Sequence, residues 1–348
     1  MRKRRLRFWS IGVLLLVLVL SACHSGDRRK TGQQKGDSLF HSELLRSVTD
    51  SITQYPDSSR LYFERGGILY VMKEYQLAGK DLQKAISLDP LKTDYYISLG
   101  EIALAAGEFP AAEEAYRSAL RLDSGNLMAR LQLAFVLVQQ KRFPQALAET
   151  DSLLTQDDKV VQAYGIKAQV LEALKDTAAA LTFLKKAVSL APSDYDALMA
   201  TGDLLFNRHD TAALGYYRRA AEADTTQGEP LYCIGVFQQR MGKTREAIAA
   251  YKGCVARDAY YLKAYLSMGG ILEDQNDWED ALKVYTLATR IDPTSSEAFY
   301  HRGLCREKLK NLRAAKSDYQ DALDLKSSNQ EARAALDRLN GSDTLKPK

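Results

Sequence analysis

From residue 59 to residue 329 the apolar positions follow a pattern that repeats every 34 residues. One step of the pattern, between Ala187 and Ala220, is short by one residue. Small residues at fixed helical positions let two backbones approach closely, so the pattern predicts tightly packed helices. Three positions carry it: Gly66, Gly100, Ala134, Ala168, Gly202, Gly235, Gly269 and Gly303; Ala78, Ala112, Ala146, Ala180, Ala213, Ala247, Ala281 and Ala315; and Ala85, Ala119, Leu153, Ala187, Ala220, Cys254, Ala288 and Ala322.

Each 34-residue unit is predicted to be an antiparallel pair of helices. Pro90, Pro192 and Pro293 follow the second helix, which proline cannot continue. A single pair cannot bury its own apolar face, so neighbouring pairs must stack into an all-α solenoid. Aromatic residues flank the small ones: Tyr62, Tyr96, Tyr164, Tyr265 and Phe299 on first helices, and Tyr116, Tyr217, Tyr251, Tyr285 and Tyr319 on second helices.

Shorter segments flank the repeats. The segment before them shows apolar residues at every fourth position, Phe40, Leu44, Val48 and Ile52, as expected for one face of a helix that resembles the second half of a repeat. A solenoid also needs a final helix with a charged outer face. The predicted segments are a flexible tether at 23–36, the leading helix within 37–58, a capping helix at 330–340 and a short tail at 341–348.

The first 22 residues are typical of a secretory signal peptide. Five basic residues precede the apolar run Ile11–Leu20, which is too short to span a bilayer comfortably, and small residues follow it. The segment Leu20–Cys23, LSAC, resembles the bacterial lipobox, which implies cleavage after residue 22 and acylation of Cys23. The alternative is a plain signal peptide in which the cysteine falls there by chance.

Acylation of Cys23 would anchor the chain to a lipid bilayer, because several acyl chains exceed what stable anchoring requires. His24 follows the cysteine, so no Asp is present there to indicate retention at an inner membrane. We therefore expect the bacterial outer membrane, with the chain on its periplasmic side.

Removal of the signal peptide changes the charge. The full chain carries 48 basic and 44 acidic residues, for a net charge of +4. Without residues 1–22 it carries 43 basic and 44 acidic residues, for a net charge of −1. Nucleic acid is therefore not implied as a partner. The later cysteines, Cys233, Cys254 and Cys305, match no zinc spacing; we interpret them as small buried residues, with one disulfide as the alternative.

The period, the small-residue columns, the aromatic positions and the terminal Asp-Pro resemble the tetratricopeptide repeat (TPR). The copy at Leu262–Ser295, LKAYLSMGGILEDQNDWEDALKVYTLATRIDPTS, carries nearly every signature position, and eight copies run from Ser59 to Asn329. The resemblance implies a right-handed superhelix. Repeat three departs from the pattern at Arg130, Thr150 and Leu153, which indicates either a softly packed joint or sequence drift.

Repeat five lacks one residue near Thr211–Ala212, between its helices.

We found no sequence pattern for catalysis, a cofactor or a metal. The histidines His24, His41, His209 and His301 are isolated, and no phosphate-binding glycine motif or nucleophile elbow occurs. We expect no enzyme activity.

In the TPR family, positions 2, 5, 9, 12 and 13 of each repeat line a concave groove, which here would be apolar in the first three repeats and acidic in the last four. Such a groove favours an amphipathic, basic protein or peptide segment. The alternative is that these residues pack between repeats. The candidate groove residues are Phe63, Tyr70, Ile97, Leu104, Leu131, Phe135, Val138, Asp196, Met199, Asp203, Phe206, Glu229, Tyr232, Val236, Leu266, Glu273, Glu297 and Tyr300, with Arg60, Asp94, Glu101, Arg240, Lys263, Asp274, Glu307 and Lys308 among the charges.

Together these features predict a membrane-anchored adaptor that docks other envelope proteins through its groove. The alternative function is a lipoprotein that binds peptidoglycan or another glycan through aromatic stacking.

Overall fold

The computed structural model describes residues 43–343, in which every regular element is an α-helix. The chain divides into two compact units, Met1–Leu190 and Ala191–Lys348. The predicted all-α solenoid of stacked antiparallel pairs is confirmed within each. Unit 1 contains α1 (Glu43–Gln54), α2 (Ser59–Val71), α3 (Tyr75–Leu88), α4 (Thr93–Ala106), α5 (Phe109–Leu122), α6 (Leu127–Gln139), α7 (Phe143–Gln156), α8 (Val161–Ala173) and α9 (Thr177–Leu190). Unit 2 contains α10 (Tyr195–Asn207), α11 (Ala213–Ala223), α12 (Glu229–Arg240), α13 (Thr244–Arg257), α14 (Leu262–Asp274), α15 (Trp278–Ile291), α16 (Ser296–Lys308), α17 (Leu312–Leu325) and α18 (Gln330–Asp343).

Helix α1 packs on α2 as the second helix of a preceding repeat would. Leu45 is fully buried and joins the core that contains Leu69 and Leu82, while Val48 packs against it. At the other end, α18 packs on α17, where Ala335 and Leu339 are buried against Tyr319. Cys23, the tether at 23–36 and the tail from residue 344 onward lie outside the described residues.

Five glycines of the first small-residue column are required by tyrosines of the second helix, and Gly66 is required by Leu82, whose methyl carbon would lie 2.2 Å from an added Cβ atom. A Cβ atom at Gly100 would lie 2.6 Å from a ring carbon of Tyr116, and one at Gly269 would lie 2.4 Å from Tyr285. Gly202, Gly235 and Gly303 meet Tyr217, Tyr251 and Tyr319 in the same way. Where the second helix has Thr150 or Leu184 in place of tyrosine, the column holds Ala134 or Ala168. A flat tyrosine ring thus lies on a bare backbone. Opposite Thr150 and Leu184, though not opposite Leu82, there is room for the methyl group of an alanine.

This exchange explains repeat three, for which the prediction of a softly packed joint is wrong. Helix α6 is buried continuously from Leu131 to Val138, and Leu153 is fully buried in the same core. Thr150 donates its hydroxyl to the Leu147 carbonyl (2.9 Å), and Arg130 pairs with Glu149 (2.9 Å). The departures from the family pattern are therefore compensated by their neighbours.

Two recurring turns separate the helices. After every first helix one residue adopts a left-handed conformation, with φ between 58° and 80°, at Lys73, Gly107, Lys141, Lys175, His209, Gly242, Asn276 and Lys310. After most second helices an aspartate accepts a hydrogen bond from the backbone amide two residues on, as Asp157 does from Lys159 (2.9 Å). These aspartates end the helix even where no proline follows, as at Gln156.

The residue missing from repeat five shortens a helix as well as a turn. Helix α11 spans 11 residues, whereas the other second helices of the described chain span 14. Residues Thr211 and Ala212 form a turn, and the Asp210 carboxylate accepts from the Ala212 amide (2.9 Å).

In the same unit Cys254 and Cys305 are buried free thiols and Cys233 is half-buried, so no disulfide joins these three described cysteines.

Candidate interaction surface

The wall of unit 1 is less exposed than the sequence indicated. Leu131, Phe135 and Val138 are buried, with exposures of 6–8%, in the core that they form with half-buried Ile97 and Leu104 of the preceding first helix. For repeat three, the groove prediction is therefore wrong and the alternative, packing between repeats, is right. Phe63 is half-buried, its ring centroid 5.0 Å from that of Tyr95.

An open part of this wall lies around α2 and α4. Gly67 is exposed, and a Cβ atom built there would meet nothing within 4 Å. Tyr70, one turn further along α2, is 37% exposed. Glu101 occupies on α4 the repeat position that Gly67 occupies on α2, and burial raises the pKa of its carboxyl.

Tyr116 lies beneath this area. Its side chain is fully buried, and its hydroxyl has no hydrogen-bond partner. Burial is the main cause that raises the pKa of Tyr116, and the charges of Glu101 and Tyr70 raise that pKa further. From its place in the repeat, Tyr116 is predicted to be a core residue only. The signal for a polar role was the apolar Leu104 at the repeat position where other repeats supply a hydrogen-bond acceptor.

In unit 2 the aromatic residues of the predicted groove pack mainly on one another. Phe206 lies 5.7 Å from Phe237 and beneath the Arg240 guanidinium, at 4.4 Å. Tyr232 lies 5.1 Å from Tyr261. Met199 is only 3% exposed, so its assignment to an open groove is wrong. Val236, Leu266 and Tyr300 are half-buried, and the first two pack against the core of repeats six and seven.

Several acids of this wall already have partners within the chain. Asp203 accepts from the Tyr217 hydroxyl (2.8 Å). Glu273 contacts His301 Nδ1 at 3.1 Å. Glu307 accepts from the Tyr319 hydroxyl (2.7 Å) and from Arg338 of α18 (2.8 Å). Of these three acids, Glu307 is the one whose charge is offset by a cation, Arg338. The pairing with Arg338 was missed because the capping helix was treated only as a solenoid end.

The remaining acids of unit 2 differ in their exposure. Asp196, Asp274 and Glu297 are exposed, and Glu229 is half-buried. Within residues 43–343 no group of three His, Cys, Asp or Glu side chains could hold a metal ion. In the same range none of the helices is both long enough and apolar enough to cross a bilayer.

Stacked helix pairs with a small-residue contact and a wall of first-helix side chains define the class of helical-repeat proteins. Sequence models of the tetratricopeptide repeat match residues 74–127, 103–170, 161–194, 238–296 and 268–340, which together exceed half of the chain. The chain belongs to the tetratricopeptide repeat family.

Comparison with known proteins gives weak overall likeness to several members. The chain is 24% identical to mouse (Mus musculus) DnaJ homolog subfamily C member 7, over 84% of this chain and 59% of that protein, so it spans about 59% of that relative's length. It is 24% identical to the type IV pilus assembly protein PilF of Pseudomonas aeruginosa, over 69% of this chain and 89% of that protein. A solved structure of Pseudomonas aeruginosa pilF is 20% identical with a TM-score of 0.49, and covers 59% of this chain and 93% of that one.

Proposed function

We propose that the chain is a scaffold that binds a protein or peptide segment along the wall of its first helices. The observation that carries the proposal is the open space at three wall glycines, Gly67, Gly165 and Gly270. A Cβ atom at any of them meets nothing within 4 Å. Packing between repeats therefore does not use the wall at these positions, and a ligand backbone has room to approach.

The chemistry of the wall supports a segment that is amphipathic and basic. In unit 1, half-buried Phe63 of α2 and half-buried Ile97 and Leu104 of α4 share the wall with Glu101 of α4. In unit 2, exposed Glu297 and Asp274 are on first helices that also carry half-buried Tyr300 and Leu266. Within each unit, apolar side chains of a ligand would cover the apolar wall residues and its cations would meet the carboxylates.

A glycan ligand receives less support. Glycan binding by stacking needs a flat aromatic face open to solvent. The ring of Phe63 packs on Tyr95, and the ring of Tyr232 packs on both Tyr251 (5.7 Å) and Tyr261 (5.1 Å). Binding to isolated sacculi that survives protease treatment of the sacculi would nevertheless favour the glycan.

The proposal places the scaffold in a bacterial envelope, anchored by acylated Cys23 to the outer membrane and facing the periplasm. The basic, apolar and small segments of residues 1–22 followed by Cys23 support this, and a relative is named as a type IV pilus assembly protein. Metabolic labelling with an alkynyl fatty acid tests the anchor. The wild-type protein should be labelled and should sediment with outer membranes. The Cys23→Ser variant should show neither the label nor the sedimentation. Equal labelling of the two proteins would remove the lipid anchor from the proposal.

Steric blocks test the binding wall without disturbing the core. Gly67→Trp fills the wall of unit 1 and Gly270→Trp fills that of unit 2. The matched control is Gly215→Trp on the second helix α11, where the glycine is also exposed and a Cβ atom also meets nothing within 4 Å. Crosslinking in cells followed by mass spectrometry should show partners that are lost in a wall variant and kept in the control. Identical partner sets in all four proteins would reject the wall.

A further inference from the structure

Glu101 is a half-buried carboxylate for which the described chain supplies no cation. It lies on α4 in the middle of the unit 1 wall, and the cause that raises its pKa is burial, with no basic group opposing it. No Lys, Arg or His among residues 43–343 forms an ion pair or hydrogen bond with it. Burying a carboxylate without a partner is costly, so the site is incomplete as it stands.

The hydroxyl of Tyr116 is the second unsatisfied group in the same place. In three other repeats the equivalent hydroxyl donates to a wall side chain: Tyr217 to Asp203 (2.8 Å), Tyr251 to Gln239 (2.8 Å) and Tyr319 to Glu307 (2.7 Å). In repeat two the acceptor position of Gln239 and Glu307 holds Leu104. The fully buried Tyr116 therefore keeps an unused hydroxyl, and its ring lies against Gly100, the residue before Glu101.

Elsewhere on the wall the molecule itself shows what such a carboxylate binds. Glu273 contacts His301 of the next first helix, and Glu307 receives two hydrogen bonds of 2.8 Å from Arg338 of α18. The helix that follows α4 on the wall is α6, whose wall residues Leu131 and Phe135 are apolar and buried. The nitrogen donor that these other repeats provide from within the chain is missing at Glu101.

We propose that Glu101, with the hydroxyls of Tyr70 and Tyr116, is a receptor for one lysine or arginine side chain of the bound segment. The proposal rests on the proposed function, since it names a contact of that same wall. Exposed Gly67 on α2 leaves the approach open, and Tyr70 forms its rim. Half-buried Ile97, one turn before Glu101 on α4, offers an apolar surface to the methylene stem of the incoming residue. Charge complementarity therefore selects a cationic group over an acidic or amide one.

The test uses the full chain and a library of short random peptides displayed on phage. Selections run in parallel on wild type, Glu101→Gln, Gly67→Trp and the control Gly215→Trp. We expect wild type and the control to enrich peptides with Lys or Arg at one aligned position, Glu101→Gln to lose that preference, and Gly67→Trp to lose the peptides altogether. Replacing the enriched Lys by norleucine should weaken binding to wild type about tenfold or more and leave binding to Glu101→Gln unchanged.

Tyr116→Phe separates recognition from structure. The phenyl ring still fills the contact with Gly100, so the fold is kept, while loss of the hydroxyl should weaken the basic peptide roughly three- to tenfold and leave the norleucine peptide unaffected. If Gly67→Trp removes the enriched peptides but none shows a basic preference that depends on Glu101, the receptor is overturned and the binding wall stands. If all four proteins enrich the same peptides, the proposed function falls with it.

Discussion

The packing of tyrosine on glycine can be tested at two adjacent residues, Gly269 and Gly270, in the middle of α14. A Cβ atom at Gly269 would lie 2.4, 2.7 and 2.8 Å from three ring carbons of Tyr285, whereas one at Gly270 would meet nothing within 4 Å. Replacing either glycine by alanine favours the helix by the same amount, about 0.5–1 kcal/mol, because both lie in the helix interior. The difference between the two variants therefore isolates the contact with the ring.

Gly270→Ala should stabilise unit 2 by about 0.5–1 kcal/mol. Gly269→Ala gains the same helix propensity but must displace a ring that is 1% exposed, and overpacking of this kind costs about 1–3 kcal/mol. The free energies of unfolding of the two variants should thus differ by about 1–3 kcal/mol. At roughly 2–4 °C per kcal/mol for a unit of this size, the two melting temperatures separate by several degrees.

Thermal unfolding followed by circular dichroism at 222 nm measures the separation, with urea unfolding as a second observable. The double variant Gly269→Ala, Tyr285→Leu reproduces the pair Ala168 and Leu184 of repeat four. We expect Gly269→Ala to cost little or nothing in the Tyr285→Leu background, which is a coupling of at least about 1 kcal/mol. Equal melting temperatures for the two alanine variants, or no coupling in the cycle, would refute the explanation of the glycine column.

Three further expectations follow from other contacts. Asp318 is 1% exposed and pairs with Arg302 (2.6 Å) and Arg306 (2.8 Å), so Asp318→Asn should destabilise unit 2 by about 3 kcal/mol in urea unfolding; a change under about 1 kcal/mol would show the pairs to be superficial. Lys141 has φ 62°, so Lys141→Gly should raise the unfolding free energy by about 0.5–1 kcal/mol, and a loss would contradict the strain. Burial raises the folded-state pKa of Glu101, so folding favours its protonated form, and this stability is lost as pH rises through the raised pKa. Glu101→Gln should therefore increase the melting temperature more at pH 7 than at pH 4. An equal increase at both pH values would argue against the burial of this carboxyl group.

The fold could be predicted from the amino-acid sequence, because it is built from local contacts that repeat at one period. Columns of small residues, prolines after second helices and aromatic flanks each report contacts within one repeat or with the next. Such contacts have the same register in every copy. Eight copies of one weak signal make a strong one, which is why the eight helix pairs were identified without any structure.

Which wall residues are exposed could not be predicted from the repeat pattern and became visible only in the packed structure. Leu131 and Phe135 occupy the same repeat positions as Ile97 and Glu101, yet only the first two are buried, because burial depends on the side chains of the neighbouring helices and not on position in the repeat. Neighbouring side chains also explain two other findings: Ala134 compensates for Thr150 in repeat three, and Arg338 offsets the charge of Glu307. A repeat pattern predicts the position of a side chain on its helix. The side chains of the neighbouring helices determine whether a partner can contact it.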